Sequence, residues 1–374
     1  MADMVERSLG VEEEFLVVDP DSRMMAARAG QVIAEASPVL GERVGPEFTD
    51  MQVETRTAPC GPATEILDQL TYARRELAAA AARAGAGVVA SGSPVRGNVA
   101  PATITQGERQ QRGDATFRAL HDEVTVCAMH AHVHAPDRDR AVLLSNHLRP
   151  RLPLLVALAA NSPFWCGRDT GYASWRSVGL QRWPVAGPPP HFRSARHYDE
   201  TVARLLDTGA LVDEGTLWWD IRLSHSLPTL EVRAADVPQS ASTSALIAAL
   251  VRALVREADA AVDRGDSGPE PSPELLRVAY WRAARDGLDG DHLDPLTGAL
   301  RPVRTVLTEL FARLGPYLGE DLPPASDWLR ELLTAGGGAA RQRASAARGL
   351  TAVVDDLLVA TAEGGAAPAV VGAG

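Results

Sequence analysis

Glu12 and Glu14 stand two residues apart in the stretch Leu9-Gly10-Val11-Glu12-Glu13-Glu14-Phe15. On an extended strand that spacing sends both carboxylates to one face and Glu13 to the other. Carboxylates held about 5–7 Å apart raise each other's pKa or share a cation, and hard oxygen ligands in this number suit magnesium or manganese. A solvated acidic edge strand would carry the same triplet. Glu54, in Gln52-Val53-Glu54-Thr55-Arg56, stands where an unpaired acid is costly, which favours a ligand. Glu47, beside Pro46, reads equally well as a ligand or a surface residue. His130, His132 and His134 alternate along one face of a further extended run. Same-face neighbours fan out about 7 Å apart, so one or two of them fit a metal, with the remainder free for substrate. The plain alternative is a polar strand face.

Two later stretches place charge on alternating positions: Asp220 with Arg222, and Glu231 with Arg233. Guanidinium groups there either clamp phosphate or carboxylate or form structural ion pairs. The segment from Asn161 to Pro190 interleaves Arg168, Arg176 and Arg182 with Trp165, Tyr172, Trp175 and Trp183. It is too irregular for one element and reads as a functional loop that closes over an anion. Neither GxxxxGK[ST] nor GxGxxG occurs, so a P-loop or dinucleotide fingerprint is excluded.

The elements that must position these residues follow from periodicity. Strands are expected over 9–18, 48–57, 87–91, 124–135, 216–224 and 229–235. A helix opens at Pro62 and Thr64 and runs to about Ala84, with Ile66, Leu70, Ala73 and Leu77 on one face; others cover 137–160 and 195–207. From Ser240 the chain is helical and alanine-rich, with breaks at 266–273, 288–297, 315–326 and 336–338. Strands early and helices late give an α+β fold. A single catalytic unit over 1–363 is expected, with 240–363 packed on the sheet and 364–374 as a tail.

Of the 374 residues 45% are hydrophobic and 23% charged, an ordinary globular composition. A net charge of −11 argues against nucleic acid. It leaves ATP open, because bound cations invert the local field. Cys60, Cys127 and Cys166 are odd in number and form no CxxC pair, against a disulfide framework or structural zinc. A charged amino terminus and the lack of a long apolar run predict a cytoplasmic protein without a membrane span.

Taken in order, Ser8-Leu9-Gly10-Val11-Glu12-Glu13-Glu14-Phe15, Gln52-Val53-Glu54, His130-Ala131-His132-Val133, Asn161-Ser162-Pro163-Phe164-Trp165 with Thr170 to Arg176, Leu230-Glu231-Val232-Arg233, and Ala340-Arg341-Gln342-Arg343 resemble the carboxylate-amine ligases, also called type 2 glutamate-cysteine ligases. That resemblance implies a glutamine synthetase-like curved antiparallel sheet forming a funnel for ATP and two or three Mg2+ ions, with Mn2+ as an alternative. It implies Glu12, Glu14, Glu54, His130 and Glu231 as metal ligands, Glu47 as a further one, and His132 facing the nucleotide phosphates. Arg222 and Arg233 would bind phosphate or acyl phosphate, and Arg176 the substrate or ATP. The implied reaction phosphorylates the γ-carboxylate of glutamate, or a similar amino acid, and lets cysteine or another amine displace the phosphate. The family also implies a homodimer. His134 stands where a small residue is expected, and the carboxy-terminal helices are similar only around Arg341 to Arg343, which leaves the amine open. The competing classes are a metal-dependent amide hydrolase and a catalytically idle nucleotide-binding relative. Within the acidic triplet, Glu13 is expected to tolerate replacement by Gln far better than its neighbours.

Overall fold

The structure is a computed structural model and describes residues 7–97 and 99–364. Its centre is strand β1, Leu9–Val18, in which apolar residues surround the three glutamates. Strands β2 (Val44–Pro46), β3 (Gln52–Arg56), β4 (Gly87–Val89) and β5 (Ala128–His134) gather around it. Two-residue strands follow, β6 (Phe164–Trp165) with β7 (Arg168–Asp169) and β8 (Ala186–Gly187) with β9 (Trp218–Trp219). Strands β10 (Ile221–Leu223) and β11 (Thr229–Asp236) complete the main sheet, and β12 (Asp291–Leu293) pairs with β13 (Leu300–Pro302) outside it. The sheet order is β10-β11-β5-β1-β3-β2, with β4 also on β1, and every pairing is antiparallel. The length of β1 explains its role: its first half pairs with β5, its middle with β3 and its last three residues with β4.

Alternation divides the sheet into an apolar and a charged face. Val11, Phe15, Val53, Met129, Ala131, Val133, Leu230 and Val232 are all at most 2% exposed and form the core side. Helices α2 (Ala63–Arg83), α5 (Leu152–Ala159) and α8 (Ala241–Val262) lie against the sheet. Helix α2 buries Ile66, Leu70, Ala73, Leu77 and Ala80 at three- and four-residue spacing, one stripe of a 3.6-residue helix. Helix α8 is buried nearly all round because α10 (Val303–Leu318) and α11 (Leu322–Ala335) cover its outer side. Among the described residues no helix is long and apolar enough to cross a membrane.

Several expectations are corrected. The helix expected over 137–160 is two, α4 (Arg138–Leu148) and α5, joined by a 3-10 turn at Arg149–Arg151. Pro150 and Pro153 lack the amide hydrogens that a continuous helix would need there. The break expected at 315–326 shrinks to Gly319–Asp321, since α10 runs through Gly315 and Pro316, and Pro323 and Pro324 are accommodated in the first turn of α11. The strand expected over 216–224 is divided into β9 and β10. Helices α1 (Ala29–Leu40) and α3 (Glu108–Phe117) were not foreseen: α1 contains Pro38, and α3 buries only Gly113 and Phe117, too few for an apolar stripe. Helices α6 (Trp175–Leu180), α7 (Ala195–Asp207), α9 (Pro273–Asp286), α12 (Gly338–Ala346) and α13 (Leu350–Ala362) complete the set, α7 with the bounds read from the sequence. Of the expected tail, positions 365–374 lie outside the described residues.

Glu13 has a role that its own neighbourhood in the sequence does not show. It does point away from the acidic face, but into protein: it and Arg74 of α2 are both 0% exposed. Arg74 donates from Nε to Glu13 Oε2 at 2.8 Å and from Nη2 to Oε1 at 2.6 Å. Ser244 of α8 also donates to Oε1, and the remaining Arg74 hydrogens reach the carbonyls of Pro238 and Gln239. Removing one charge of such a pair strands the other in a low dielectric, so Glu13 is not a harmless position.

Candidate active site

The registers bring the charged face together. Glu12 lies opposite Arg56 on one side and His130 on the other, and Glu14 opposite Glu54. His132 lies opposite Glu231, which in turn faces Arg222. Glu47 arrives from the chain just beyond β2, whose Gly45 pairs with Glu54. All of these side chains except Glu14 line a cavity of about 480 Å³. A narrower pocket of about 50 Å³ adjoins it, lined by Glu14, Glu47, His130, Arg176 and Arg233 among others.

Within it, ligand atoms fall into three overlapping groups: Glu12, His132 and Glu231; Glu12, Glu54 and His130; Glu14, Glu47 and Glu54. In each, the atoms lie within 4.8 Å of one another. His130 Nδ1 is 3.1 Å from Glu12 Oε2, and its Nε2 is 3.5 Å from Glu14 Oε1. His132 Nε2 is 3.5 Å from Glu12 Oε2, while its Nδ1 is fixed by Thr229 Oγ1 at 3.0 Å. The Nε2 atoms of both histidines are buried without a hydrogen-bond partner. Two octahedral ligands at magnesium distances are about 3 Å apart, so these separations and orphaned nitrogens fit a donor set that cations would satisfy. His132, assigned by resemblance to the phosphates, is placed here within a carboxylate group.

The electrostatics point the same way. Burial, with Glu47 beside it, pushes the Glu14 carboxyl up to about 8. Burial and the neighbouring Glu12 and Glu47 raise Glu54 well above the usual range, and Glu47 is raised by burial and Glu12. Burial also acts to raise Glu12 and Glu231, but His130 and His132 outweigh it for the first and Arg233 and Arg222 for the second, leaving both below the usual range. His130 is pushed down to about 4 by burial and by Arg233, so its imidazole is neutral at pH 7. The cluster therefore mixes ionised acids with acids that hold their protons until a positive charge replaces them.

The arginines divide by role. Arg233 contacts Glu231 and lies 3.3 Å from His130 Nδ1, in both cavities. Arg222 lines the large cavity but is heavily engaged: Nε donates to Glu231 Oε2 at 2.8 Å and Nη1 to the carbonyls of Leu217 and Gly215 at 2.7 and 3.2 Å. It orients Glu231 and ties down the turn before β9. Arg176 lies in the smaller pocket against the carbonyls of Arg233 and Ala234, with its Nε unpartnered.

The segment expected to close over an anion is pinned instead. Ser162 and Ser174 donate to the buried Asp236 at 2.6 and 2.9 Å, and Gln342 reaches Asn161 at 2.8 Å. Arg343 grips Asp169 through two hydrogen bonds. These motif residues are scaffolding for the end of β11 and for Arg176. Arg168 is exposed, Arg182 pairs with Glu123, and Trp183 packs among Phe117 and Trp218. His134 is half-buried and outside the ligand groups. Sequence reasoning missed Arg56, which contacts both Glu12 and Glu54, although its alternation with Glu54 could have found it. It also missed Arg109, stacked 5.2 Å from the Phe48 ring centre at the cavity mouth and paired with Asp213 at 2.9 Å, for which no local signal exists.

Comparison with known proteins accords with this geometry. The model of glutamate-cysteine ligase family 2 matches residues 8–356. A Nocardia farcinica protein provisionally named glutamate–cysteine ligase 2-1 is 42% identical over 367 residues, covering 96% of this chain and 94% of the relative. A Rhodococcus jostii protein of the same provisional name is 42% identical, covering 94% and 95%. Among solved structures, the glutamate–cysteine ligase of Francisella tularensis in complex with AMP superposes with a TM-score of 0.71 at 11% identity, over 97% of this chain and 90% of that one. The ligase PafA, in complex with the ubiquitin-like protein Pup, gives 0.52 at 12% identity, over 92% and 69%. The likeness to these structures is one of fold, the glutamine synthetase-like α+β arrangement. By the span of the family model and the identity to its relatives, the chain belongs to glutamate-cysteine ligase family 2.

Proposed function

We propose that this protein is an ATP-dependent ligase that joins the γ-carboxylate of glutamate to an amine, releasing ADP and phosphate. The observation that carries the reading is the three overlapping carboxylate and histidine groups, with their orphaned Nε2 atoms, at a cavity walled by Arg56, Arg222 and Arg233 and the small pocket beside it. Glu12, Glu14, Glu47, Glu54, His130, His132 and Glu231 would hold magnesium or manganese. Bound there, the cations would offset the charge of the nucleotide phosphates and of the phosphoryl group in transfer.

The protein's own residues account for the rest. His130, neutral at pH 7, offers a nitrogen lone pair rather than a repelling cation. Arg233, held by Glu231 with its guanidinium in the cavity, is the cation for the oxygens of the transferring phosphoryl group and the acyl phosphate. Arg222 keeps Glu231 and the 214–217 turn in place. Arg176 in the smaller pocket suits the carboxylate of the acyl donor, with Glu14 and Glu47 beside it. No protein nucleophile is needed, since the substrate carboxylate attacks ATP and the amine attacks the acyl phosphate.

A screen of ADP release with glutamate, magnesium and a panel of amines, cysteine first, tests this reading. Turnover should require ATP, metal, glutamate and amine together. Metal-dependent amide cleavage without ATP would establish the hydrolase instead, and ATP binding without turnover across the panel the idle relative.

A further inference from the structure

A second polar cavity lies away from the central one, between the turn that joins α4 to α5, helix α10 and the β12–β13 hairpin. It measures about 240 Å³ and shares no residue with the central cavity. Arg151, from the 3-10 turn, lines it and also lines a groove of about 380 Å³ on its other side. Arg313 of α10 stands in both as well.

Arg151 is the anomaly. It is half-buried beside a second guanidinium, yet it makes no ion pair and no side-chain hydrogen bond among the described residues. Burial first and Arg313 second depress its pKa, and the more distant Glu257 and Asp294 offset them only in part. The surrounding acids are committed elsewhere. Glu257 contacts Arg313, and Glu309 receives two hydrogen bonds from Arg301. Asp294 accepts from the Leu296 amide and the Thr297 hydroxyl of its own hairpin, and Asp266 from the Gly268 amide. Each closes a local turn or pair, so that Glu257 and Asp294 act on Arg151 from a distance without forming an ion pair with it.

His292 supplies an independent sign. It is only 7% exposed, lines the same cavity, and its ring makes no hydrogen bond among the described residues. Burial holds its imidazole down to about 4, so at neutral pH it is an uncharged group able to donate one hydrogen bond and accept another. Leu154, Val306 and Leu310 give the wall an apolar patch, beside the Arg301–Glu309 pair and Asp294. A guanidinium with no ion pair, an imidazole with no ring hydrogen bond and an aliphatic patch fit a carboxylate on a short apolar chain.

We propose that Arg151 and His292 form a carboxylate-binding site distinct from the central cavity, which takes a short-chain organic acid. The probe is 4,4,4-trifluorobutyrate, titrated by ligand-observed fluorine NMR into the full-length protein with magnesium and a non-hydrolysable ATP analogue present. Saturable binding is expected, weakened at least tenfold by Arg151→Ala and partly kept by Arg151→Lys. His292→Ala should also weaken it, which keeps the test valid if Arg151→Ala fails to fold. If the carboxylate comes instead from an acidic side chain of a second copy, sedimentation should show association that both the probe and Arg151→Ala disperse, which supports the same recognition. Equal affinity in wild type and Arg151→Ala, or neither saturable binding nor probe-sensitive association, overturns the proposal.

Discussion

Replacing Glu13 by Gln tests how the metal-facing strand is held. The substitution keeps volume and one acceptor but leaves Arg74, fully buried, without its counter-charge. Breaking a buried pair from one side costs about 3–5 kcal/mol, and the carbonyls of Pro238 and Gln239, which still accept from Arg74, favour the lower end. An unfolding entropy of about 2.1 cal/mol/K per residue over 374 residues gives roughly 0.8 kcal/mol/K, so the midpoint should fall by about 4–6 °C. Differential scanning calorimetry and urea titration read this directly. Turnover per folded molecule should change little, because Glu13 faces away from the cavity. The double variant Glu13→Leu with Arg74→Met should recover most of the loss, since an apolar pair of similar volume removes both charges together. A shift below about 1 °C for Glu13→Gln, or additive effects in the double variant, would refute the account of this pair.

Glu54→Gln should reduce turnover on the order of a hundredfold or more while the metal-free protein melts at a higher temperature, because the fold no longer has to keep a buried acid protonated among its neighbours. Unchanged turnover would remove Glu54 from the site. In metal-free protein Glu14 binds its proton more tightly when folded, at about 8, than at its ordinary 4.5. Its contribution to stability is full below about pH 4.5 and is lost as pH rises through about 8. His130, depressed from 6.5 to about 4, contributes fully above pH 6.5 and so leaves the range above that to the acids. The metal-free midpoint should therefore fall between pH 7 and 9, and magnesium should flatten the profile and release protons, measurable by calorimetry in buffers of different ionisation enthalpy. A metal-free midpoint that is level or rising over that range contradicts the assignment. Arg222→Lys cannot hold Glu231 and the carbonyls of Gly215 and Leu217 together, so it should cost about 1–3 kcal/mol of stability and raise the magnesium concentration needed for half-maximal rate. Wild-type metal dependence in that variant would make Arg222 dispensable for placing Glu231.

What could be read from the chain was whatever depends on local period. Two-residue alternation gave β1 its full length and set Glu12 and Glu14 apart from Glu13, and the apolar stripe of α2 marked that helix to within a residue or two. Properties that depend on partners distant in sequence were hidden. Nothing near Glu13 announces Arg74, 61 residues away, or Ser244, 231 residues away. Glu47 could be read two ways because its neighbourhood depends on the pairing of β2 with β3. The motif around Asn161 to Arg176 read as a functional loop because aromatic, glycine and arginine residues suit loops, whereas Asp236 and Gln342 fix it from the end of β11 and from α12. Arg151 drew no notice in the sequence because an unpaired arginine is defined by partners it lacks in space.

The central claim is that ATP activates a substrate carboxylate for an amine. It is tested most directly with glutamate carrying oxygen-18 in its γ-carboxylate, incubated with ATP, magnesium and an amine that supports turnover. Attack of that carboxylate on ATP must leave one of its oxygens on the phosphate when the amine displaces the acyl phosphate. Mass spectrometry should find one labelled oxygen in each phosphate released. Amide formed alongside wholly unlabelled phosphate, or amide cleaved with no need for ATP, would contradict the account.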